Sequence, residues 1–540
     1  MTGGGRLLRH PLAVVGAYLA LAVLVTWPLV LDPSGTIAGG ARTDALNSVW
    51  NLWFVEQAVR RGELPLHTLL LDHPSGGRIA VADPINALLG LPLTAAFGPV
   101  AAYGALVIGH LTAAGIAAHA LGRRLGGGGW VAGVGYTLAP IVLSHVHNGS
   151  SETVSAGWLP LAALGVVGLA EHGWGGPRGW LRGSGAAVGL ACCAIAGWYA
   201  GIGAFILAGC IAVLGWRSVA PARTLARLVP AIAVAVVLVA PVAYATKQVA
   251  QSEDGLVDIK NPEDLARIRR TLGAADPRVF VVPGDFRSPD FARDTANPND
   301  RVHTAYLGFV LIFAAMWRGH RDLALWVAGG AGLVLAMGPV VVLDGFPASA
   351  GGRALPLPYA ALEPLPGFDA LSLLYRLATV GALCLAVIAD RAPRWVALLV
   401  ALEVRFASSA RGLPHVVDVP VTDAVAELRD RPDGAVLNLP VQAGRNFLFE
   451  QTIHGKPVCG SLNSGANRAG LRVLLAARKM RAGELTKAEL VAVARQEGVR
   501  YVVVHKNMLA AETFVPATTG IRRAFVAVAE DERTLVYALW

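Results

Sequence analysis

Long apolar runs separated by short basic segments dominate the chain up to about residue 410. A helix that crosses a bilayer needs about 20 mostly apolar residues, and somewhat fewer where it is short. The first run is longer than the apolar core of a signal peptide, so we expect it to be retained. The pattern predicts eleven transmembrane helices, at 11–31, 100–121, 130–144, 156–170, 185–199, 201–215, 228–246, 304–317, 323–343, 371–388 and 395–404.

The distribution of arginine predicts how these helices are oriented. Lys and Arg in short loops favour the cytoplasmic side of a membrane. With a cytoplasmic N-terminus, every loop on that side is basic and contains few acids. These loops hold thirteen arginines: Arg6, Arg9, Arg123, Arg124, Arg178, Arg182, Arg217, Arg223, Arg227, Arg318, Arg321, Arg391 and Arg394. An odd number of spans then places the C-terminal region outside the cytoplasm.

The polar segments are predicted to face outward. They are the loops 32–99, 247–303 and 344–370 of a transmembrane domain, 1–410, and a C-terminal domain, 411–540. Within the first loop, Asn47–Arg60 has apolar residues at helical spacing, and Trp50 and Trp53 are typical of a helix at the membrane interface. The stretch 85–97 is apolar but too short to span, which favours an interfacial or re-entrant segment.

The C-terminal region has the pattern of a small α/β domain. Residues 435–441 have strand character, and Thr486 and Glu489 form a capping box that begins a helix ending near Gly498. A strand at 500–505 follows, and 524–529 and 534–539 are expected to form a hairpin. We therefore predict an all-α polytopic membrane protein with an extracytoplasmic α/β domain.

Composition agrees with this interpretation. The chain has 540 residues, of which 54% are hydrophobic and 15% are charged, whereas soluble chains are nearer a quarter charged. The net charge of +9 comes largely from arginines between apolar runs, so it indicates orientation and gives no support for nucleic-acid binding. Four of the five cysteines lie in apolar segments and Cys459 stands alone, so no disulfide framework is expected.

Ionisable residues are concentrated at the predicted outer ends of the helices, where they are costly unless they have a partner or a role. If the helices pack as usual, these ends converge on one cavity. Carboxylates there are suited to general-base chemistry or to holding a metal, and cations to neutralising a phosphate. The candidates are Asp44, Asp83, His145, His147, Glu152 and Arg376.

Each candidate also has a purely structural alternative. Asp44 is at a position where an aspartate caps the following helix. Glu152 is equally well a solvated loop acid, and Arg376 an arginine that pairs with Asp369 or reaches toward the headgroups. His145 and His147 are weak metal candidates, because no third ligand follows at a diagnostic spacing.

Several common catalytic motifs do not occur. The sequence has no GxxxxGK[ST] loop, no GxGxxG after a strand, no HExxH and no GxSxG. The four glycines at 126–129 lie in a predicted cytoplasmic turn. An outward-facing enzyme without a nucleotide site is expected to use a lipid-carried donor.

Several blocks of the sequence resemble bacterial membrane glycosyltransferases of the GT-C superfamily, which use polyprenyl-phosphate sugars. They include TDALNSVWNLWFVEQA, HPSGGRIAVADPINALLGLPL, GYTLAPIVLSHVHNGSSETVSAGWLPL and PLPGFDALSLLYRLATVGALCLAV, with FEQTIHGKPVCGSLN and GVRYVVVHK near the C-terminus. The similarity extends over nearly the whole chain and is closest in architecture to aminoarabinose transferases and mannosyltransferases. The resemblance implies a multi-pass enzyme of the bacterial inner membrane that transfers a sugar at the periplasmic face.

The resemblance also implies roles for some residues. The acid of the first outer loop is the usual catalytic candidate and corresponds to Asp44. A second acidic or polar position corresponds to the stretch from His145 to Glu152, where this sequence departs from the better-known members. His145, His147, Asp83 and Arg376 would then contact substrate or the carrier phosphate, and a divalent metal stays an open alternative.

Two other functions fit the same pattern. A transporter or flippase would carry polar residues in mid-span and inverted repeats of broken helices, whereas these spans are nearly free of charge. A non-catalytic protein of the same fold that binds a partner through its outer domain is the second alternative. The sugar and the acceptor are left open by the sequence.

Overall fold

Helices account for most of the computed structural model. It describes residues 10–40, 43–150, 156–256, 261–288, 301–319, 322–365, 367–408, 410–441, 444–462, 466–511 and 515–540. Each of the eleven predicted apolar runs contains a helix. The helices up to residue 407 are α1 (Pro11–Val25), α2 (Ala45–Arg60), α3 (Pro84–Phe97), α4 (Pro99–Arg124), α5 (Trp130–Thr137), α6 (Pro140–Asn148), α7 (Trp158–His172), α8 (Gly176–Ala196), α9 (Trp198–Leu214), α10 (Pro221–Gln251), α11 (Pro262–Arg269), α12 (Phe309–Arg318), α13 (Leu323–Ala336), α14 (Ala378–Ile388) and α15 (Val396–Ala407).

Three of these helices, α4, α8 and α10, are long and apolar enough to cross a membrane, and six of the shorter ones are also apolar. The predicted span 130–144 is not one helix, because the chain breaks between α5 and α6 at Ala139, before Pro140. The loops contain three antiparallel pairs of two-residue strands. They are β2 (His67–Thr68) with β3 (Gly77–Arg78), β4 (Val342–Leu343) with β5 (Phe346–Pro347), and β6 (Ser349–Ala350) with β7 (Arg353–Ala354).

The α/β pattern predicted for the C-terminal region is confirmed. A four-stranded sheet has the order β11-β12-β10-β9, with β9 and β10 parallel and the other pairs antiparallel. Its strands are β9 (Ala435–Leu439), β10 (Val499–His505), β11 (Ala527–Glu530) and β12 (Thr534–Ala538), and the helices are α16 (Asp423–Ala426), α17 (Gly444–His454), α18 (Arg468–Arg481), α19 (Lys487–Gln496) and α20 (Val515–Ala524). The capping box of Thr486 and Glu489 begins α19, and Gly498, at φ +70°, follows its end.

The predicted first outer loop is joined to the C-terminal region by backbone and side-chain hydrogen bonds. Strand β1 (Thr36–Ala38) pairs with β8 (Val416–Asp418), so the start of the predicted C-terminal domain pairs with the transmembrane part. The Trp50 indole donates to Gln451 at 2.8 Å, and Trp50 and Trp53 are both buried. Both indoles are therefore enclosed by protein, where α2 packs against α3, α4 and α17, and the position of α2 at the membrane interface stays a prediction.

The end of α17 supplies a test of stability against pH. His454 is buried, and its Nδ1 accepts a hydrogen bond from the Lys456 amide at 3.0 Å. Burial, with a smaller contribution from Lys456, lowers the pKa of His454 from 6.5 to about 3. The unfolded chain therefore takes up a proton at this residue at a higher pH than the folded protein does. The stability it contributes is complete above pH 6.5 and is lost as the pH falls toward 3.

We expect His454→Asn to weaken this acid sensitivity, since asparagine retains an acceptor for the Lys456 amide but does not titrate. From pH 7 to pH 5 the histidine alone should cost about 2 kcal/mol of the free energy of unfolding. Thermal unfolding of the purified variant at the two pH values should therefore show a smaller drop in Tm than the parent. Equal drops would indicate that His454 takes up its proton at the same pH in the folded protein as in the unfolded chain.

Candidate active site

A cavity of about 220 Å³ lies where α2, α3 and the start of α4 meet the turn after α6. The predicted outer ends of the helices were expected to converge, and three of the candidate residues, Asp44, Asp83 and Arg376, line this one cavity. The other polar groups that matter below are Asn86, Tyr103 and Ser150. Two carboxylates, a guanidinium and neutral donors therefore face the same space.

The backbone of α2 is placed by the turn that ends α6. Gly149 ends that helix at φ +65°, a conformation that favours glycine, and a Cβ built there would lie 2.1 Å from the Ala45 nitrogen. The Asp44 amide donates to the Asn148 carbonyl at 2.9 Å, and the Ser48 hydroxyl donates to the Gly149 carbonyl at 3.0 Å. This close approach fixes the position of Asp44.

The Asp44 side chain is not used to cap α2. It lies at the N-cap position with φ −78° and ψ 0°, and it accepts no hydrogen bond from the first turn. Its carboxylate instead accepts from Arg301 at 2.8 Å. Arg301 is held in place by its neighbour, because the Asn148 amide makes paired bonds of 2.7 and 2.9 Å with the backbone of Val302. The capping alternative for Asp44 is thus not what the contacts support.

Asp83, in contrast, has the contacts of a structural residue. It sits in the left-handed region at φ 54°, and its carboxylate accepts from both the backbone and the side-chain nitrogen of Asn86, at 3.1 and 2.7 Å. Asn86 in turn contacts the His110 ring at 2.7 Å. Asp83 therefore caps α3 while one side of the residue faces the cavity.

Arg376 lies in a short 3₁₀ turn, Leu374–Leu377, before α14. Its guanidinium donates to Ser150 at 3.2 Å and stands 5.3 Å from the centre of the Tyr199 ring. The Tyr199 hydroxyl accepts from the backbone amides of Ser372 and Leu373, at 2.9 and 2.8 Å. Tyr199 thus contacts both the 3₁₀ turn and the guanidinium of Arg376. In this position Arg376 points into the cavity and not toward Asp369.

Tyr103 adds a neutral donor that the sequence analysis missed. It is almost fully buried, and its hydroxyl makes no hydrogen bond with any residue in the described parts of the chain. Buried hydroxyl groups are nearly always paired, so an unpaired one in a residue of the cavity wall is an exception. A tyrosine in an apolar helix carries no sequence signal that separates it from a core residue.

The remaining candidates lie elsewhere. His145 lines a neighbouring smaller cavity together with Tyr199 and Arg376. His147 is fully buried, with its ring 5.2 Å from that of His415, and it is not part of the cavity wall. Glu152 falls outside the described residues. The described residues include no group of three or more His, Cys, Asp or Glu side chains able to hold a metal ion.

A cluster of charged and titratable side chains packs beside Tyr375, and none of its members was predicted from the sequence as a site residue. Arg287 donates to His303 Nε2 at 2.8 Å, so that nitrogen is unprotonated, and the ring of His303 lies 5.8 Å from that of Tyr375. Burial first, and then Arg287, Arg301 and Arg376, hold the pKa of His303 well below its usual range. Burial likewise raises the pKa of Asp285, which accepts from the Arg287 and His303 amides. Three guanidinium groups therefore lie around His303, and Asp44 and Asp285 are the carboxyl groups beside them.

No family model and no curated protein matches the sequence. Among solved structures, the chain is similar to the arabinofuranosyltransferase AftD from Mycobacteria, at 16% identity and a TM-score of 0.51, over 97% of this chain but 40% of AftD. It is also similar to the oligosaccharyltransferase AglB from Archaeoglobus fulgidus, solved with an inhibitory peptide and a dolichol-phosphate (13% identity, TM-score 0.51, 92% of this chain and 69% of AglB).

ArnT from Cupriavidus metallidurans, bound to undecaprenyl phosphate, matches at 13% identity and a TM-score of 0.51 over 97% of this chain and 98% of ArnT. The match to ArnT thus extends over nearly the full length of both chains, whereas the chain spans less than half of AftD. Identities this low establish the fold and not the substrate. The chain has the fold of the GT-C membrane glycosyltransferases that its sequence resembles.

Proposed function

We propose that the protein is an integral membrane glycosyltransferase that moves a sugar from a polyprenyl-phosphate carrier to an acceptor at the extracytoplasmic face. The observation that carries this proposal is the placing of the Asp44 carboxylate and the Arg376 guanidinium in one cavity. The fold supports it, since ArnT was solved with undecaprenyl phosphate and AglB with a dolichol-phosphate.

The proposed chemistry assigns one task to each of the two charged groups. Asp44 takes the proton of an acceptor hydroxyl as its oxygen attacks the anomeric carbon of the donor sugar. The new carbon–oxygen bond forms while the bond from that carbon to the phosphate oxygen breaks. The polyprenyl phosphate leaves with the bonding electron pair, and Arg376 stabilises its negative charge with charge-assisted hydrogen bonds.

The other cavity residues are proposed to bind and to position. The Tyr103 hydroxyl is an unused donor that suits a sugar oxygen, and Asp83 keeps the start of α3 at the cavity edge while one side of it contacts substrate. Glu152 stays a proposed second acid. His145, beside Arg376 in the adjoining cavity, is proposed to assist phosphate binding, and His147 to support the turn at Gly149.

The membrane arrangement is part of the same proposal. Eleven spans with a cytoplasmic N-terminus place the cavity at the outer ends of the helices and leave 411–540 as an extracytoplasmic domain beside the bacterial inner membrane. The short apolar helices fit this count where flanking turns extend them. A membrane-impermeant thiol reagent tests this arrangement. Cysteines are introduced one at a time at Arg178 and Arg353, which lie on opposite predicted sides, and only the cysteine at 353 is expected to react in intact cells.

The activity is tested with the purified protein in nanodiscs that contain lipid extract from the producing cells as a source of acceptor. A panel of short-chain polyprenyl-phosphate pentoses and hexoses serves as donors, and mass spectrometry follows the release of polyprenyl phosphate and the sugar gained by an acceptor. We expect one class of donor to be consumed. Donors that bind but keep their sugar, or that only change leaflet, would contradict the proposal and favour binding or transport.

Arg376→Gln is expected to weaken binding of polyprenyl phosphate about 10- to 100-fold, because a hydrogen bond to a charged group contributes about 1.5–3 kcal/mol. Arg376→Lys should recover part of the loss, since lysine restores the charge without the planar fork. Native mass spectrometry with a short-chain polyprenyl phosphate measures both. The matched control is Arg353→Gln, an exposed arginine of the β6–β7 hairpin. Equal affinities for Arg376→Gln and this control would remove Arg376 from the phosphate site.

A further inference from the structure

A second polar cavity lies at the opposite end of the helix bundle. It has a volume of about 430 Å³ and is lined by Arg124, Leu125, Gly126, Arg217, Asp322 and Arg391. Helix α4 connects the two cavities, with Tyr103 lining the candidate active site near its start and Arg124 lining the second cavity at its end. At about 1.5 Å per residue these positions are about 32 Å apart, close to the thickness of a bilayer's hydrocarbon core.

The charges around this cavity leave it positive. Glu171 lies behind the wall and pairs with Arg124 at 2.6 Å and with Arg217 at 3.6 Å, and it also accepts from the Trp216 indole at 3.1 Å. Asp322 is 3.8 Å from Arg217. Among the described residues, three guanidinium groups and one carboxylate line the cavity, with Glu171 behind them, and Arg391 is exposed and joins none of these pairs. An anion is the complement of this arrangement.

The backbone holds Arg217 at the cavity in an unfavourable conformation. Its φ is 51°, one of the few positive values at a residue other than glycine, in the tight turn closed by the two backbone bonds between Trp216 and Val219. Such turns favour Asn and Gly, and an arginine there costs backbone free energy. Strain kept at a charged side chain that faces a cavity indicates a function for that side chain, beyond its orienting effect as a basic loop residue.

The rim of the cavity is at the level where a lipid headgroup would lie. Asp322 immediately precedes α13, and the large side chains next to it on α12 and α13 point outward: Trp317 is 53% exposed, Leu323 63% and Trp326 42%. Exposed tryptophans beside an arginine are typical of the boundary between acyl chains and headgroups. A soluble anion would not need this apolar rim, whereas a lipid would place its chains against it.

We propose that this cavity binds the phosphate headgroup of an anionic phospholipid, at the membrane surface opposite the candidate active site. Arg217 and Arg391 contact the phosphate, and Arg124, anchored by Glu171, adds positive charge at the back of the cavity. The exposed side chains of α12 and α13 contact the lipid chains. This site is independent of sugar transfer and requires no donor or acceptor.

The test uses the full-length purified protein in detergent, titrated with phosphatidylglycerol and, separately, with phosphatidylcholine, with native mass spectrometry to count bound lipids. We expect preferential binding of phosphatidylglycerol that becomes weaker by at least about tenfold in the double variant Arg217→Gln with Arg391→Gln, since two charge-assisted contacts are removed. Arg178→Gln changes charge at the same end of the bundle, on an exposed face outside the cavity, and should alter binding by less than about twofold.

A variant that is expected to strengthen lipid binding separates an effect on the site from misfolding. Asp322→Asn removes the carboxylate that lines the cavity among the described residues and should tighten phosphatidylglycerol binding about threefold or more, which a folding defect would not do. Equal weakening by Arg178→Gln would show general attraction to a basic surface and overturn the site. Displacement of the lipid by an equal concentration of inorganic phosphate would assign the cavity to a soluble phosphate and overturn the lipid proposal.

Discussion

Replacing Asp44 with asparagine is expected to lower the rate of sugar transfer about 10²- to 10⁴-fold, the usual contribution of a general base. Asparagine has the same shape, and its side-chain oxygen still accepts the hydrogen bond that Arg301 donates at 2.8 Å. It does not take up a proton, so the acceptor hydroxyl would be a poor nucleophile. The turnover of the donor identified in the panel measures the effect, with the affinity for the carrier determined separately.

Asp32→Asn is the matched control for this substitution. Asp32 is an exposed acid of the same predicted outer loop, and its carboxylate accepts a local bond from the Gly35 amide at 2.9 Å. The control should keep the parent rate and the parent Tm. If Asp44→Asn turned over donor at the rate of the control, the base would have to be another residue, and Glu152, the second acid of the proposal, would be the next to replace.

The rank of the two acids in the cavity depends on contacts that sequence does not give. Both Asp44 and Asp83 precede a helix, so both have the pattern of an N-cap. Only Asp83 accepts a hydrogen bond from the first turn of its helix, while Asp44 faces Arg301. The sequence pattern alone therefore does not separate capping from catalysis at the two positions. The hydrogen bonds of each carboxylate make the distinction.

Most of the secondary structure was predictable, because it follows from local patterns. Each apolar run overlaps a helix, although 130–144 is divided between two, and the capping box at Thr486 begins α19 as expected. The convergence of Asp44 and Arg376 was also expected, since both lie at the same predicted ends of their helices. Orientation and periodicity are properties of short segments, and these predictions need no knowledge of which segments touch.

What the sequence did not indicate depends on contacts between distant segments. Arg301 is 257 positions from its partner Asp44, and nothing around it separates it from the other basic residues of its loop. Trp50 has the pattern of an interfacial residue, yet its indole donates to Gln451, 401 positions away. A lipid headgroup and a buried glutamine offer the same polar partner to an indole, so composition alone does not distinguish them.

Gly149 also owes its role to a contact with a distant segment, the start of α2. Its replacement is the sharpest test of the site's architecture. A Cβ at this position would lie 2.1 Å from the nitrogen and 2.4 Å from the Cα of Ala45, both backbone atoms that no side-chain rotation moves away. Gly149→Ala must therefore shift the start of α2 and break the bond from the Asp44 amide to Asn148. Because displacing a reacting group by about 1 Å costs about 10²-fold in rate, we expect a loss of that size.

Gly62→Ala separates this effect from backbone strain. Gly62 follows the other end of α2 at φ +69°, nearly the value of +65° at Gly149, but a Cβ there has no atom within 4 Å. Both variants therefore carry the cost of a left-handed alanine, about 1–2 kcal/mol of the free energy of unfolding. Only Gly149→Ala also moves Asp44. Donor turnover at a concentration that saturates the enzyme should fall in Gly149→Ala and persist in Gly62→Ala, and parallel losses in the two would mean that the position of Asp44 does not govern the rate.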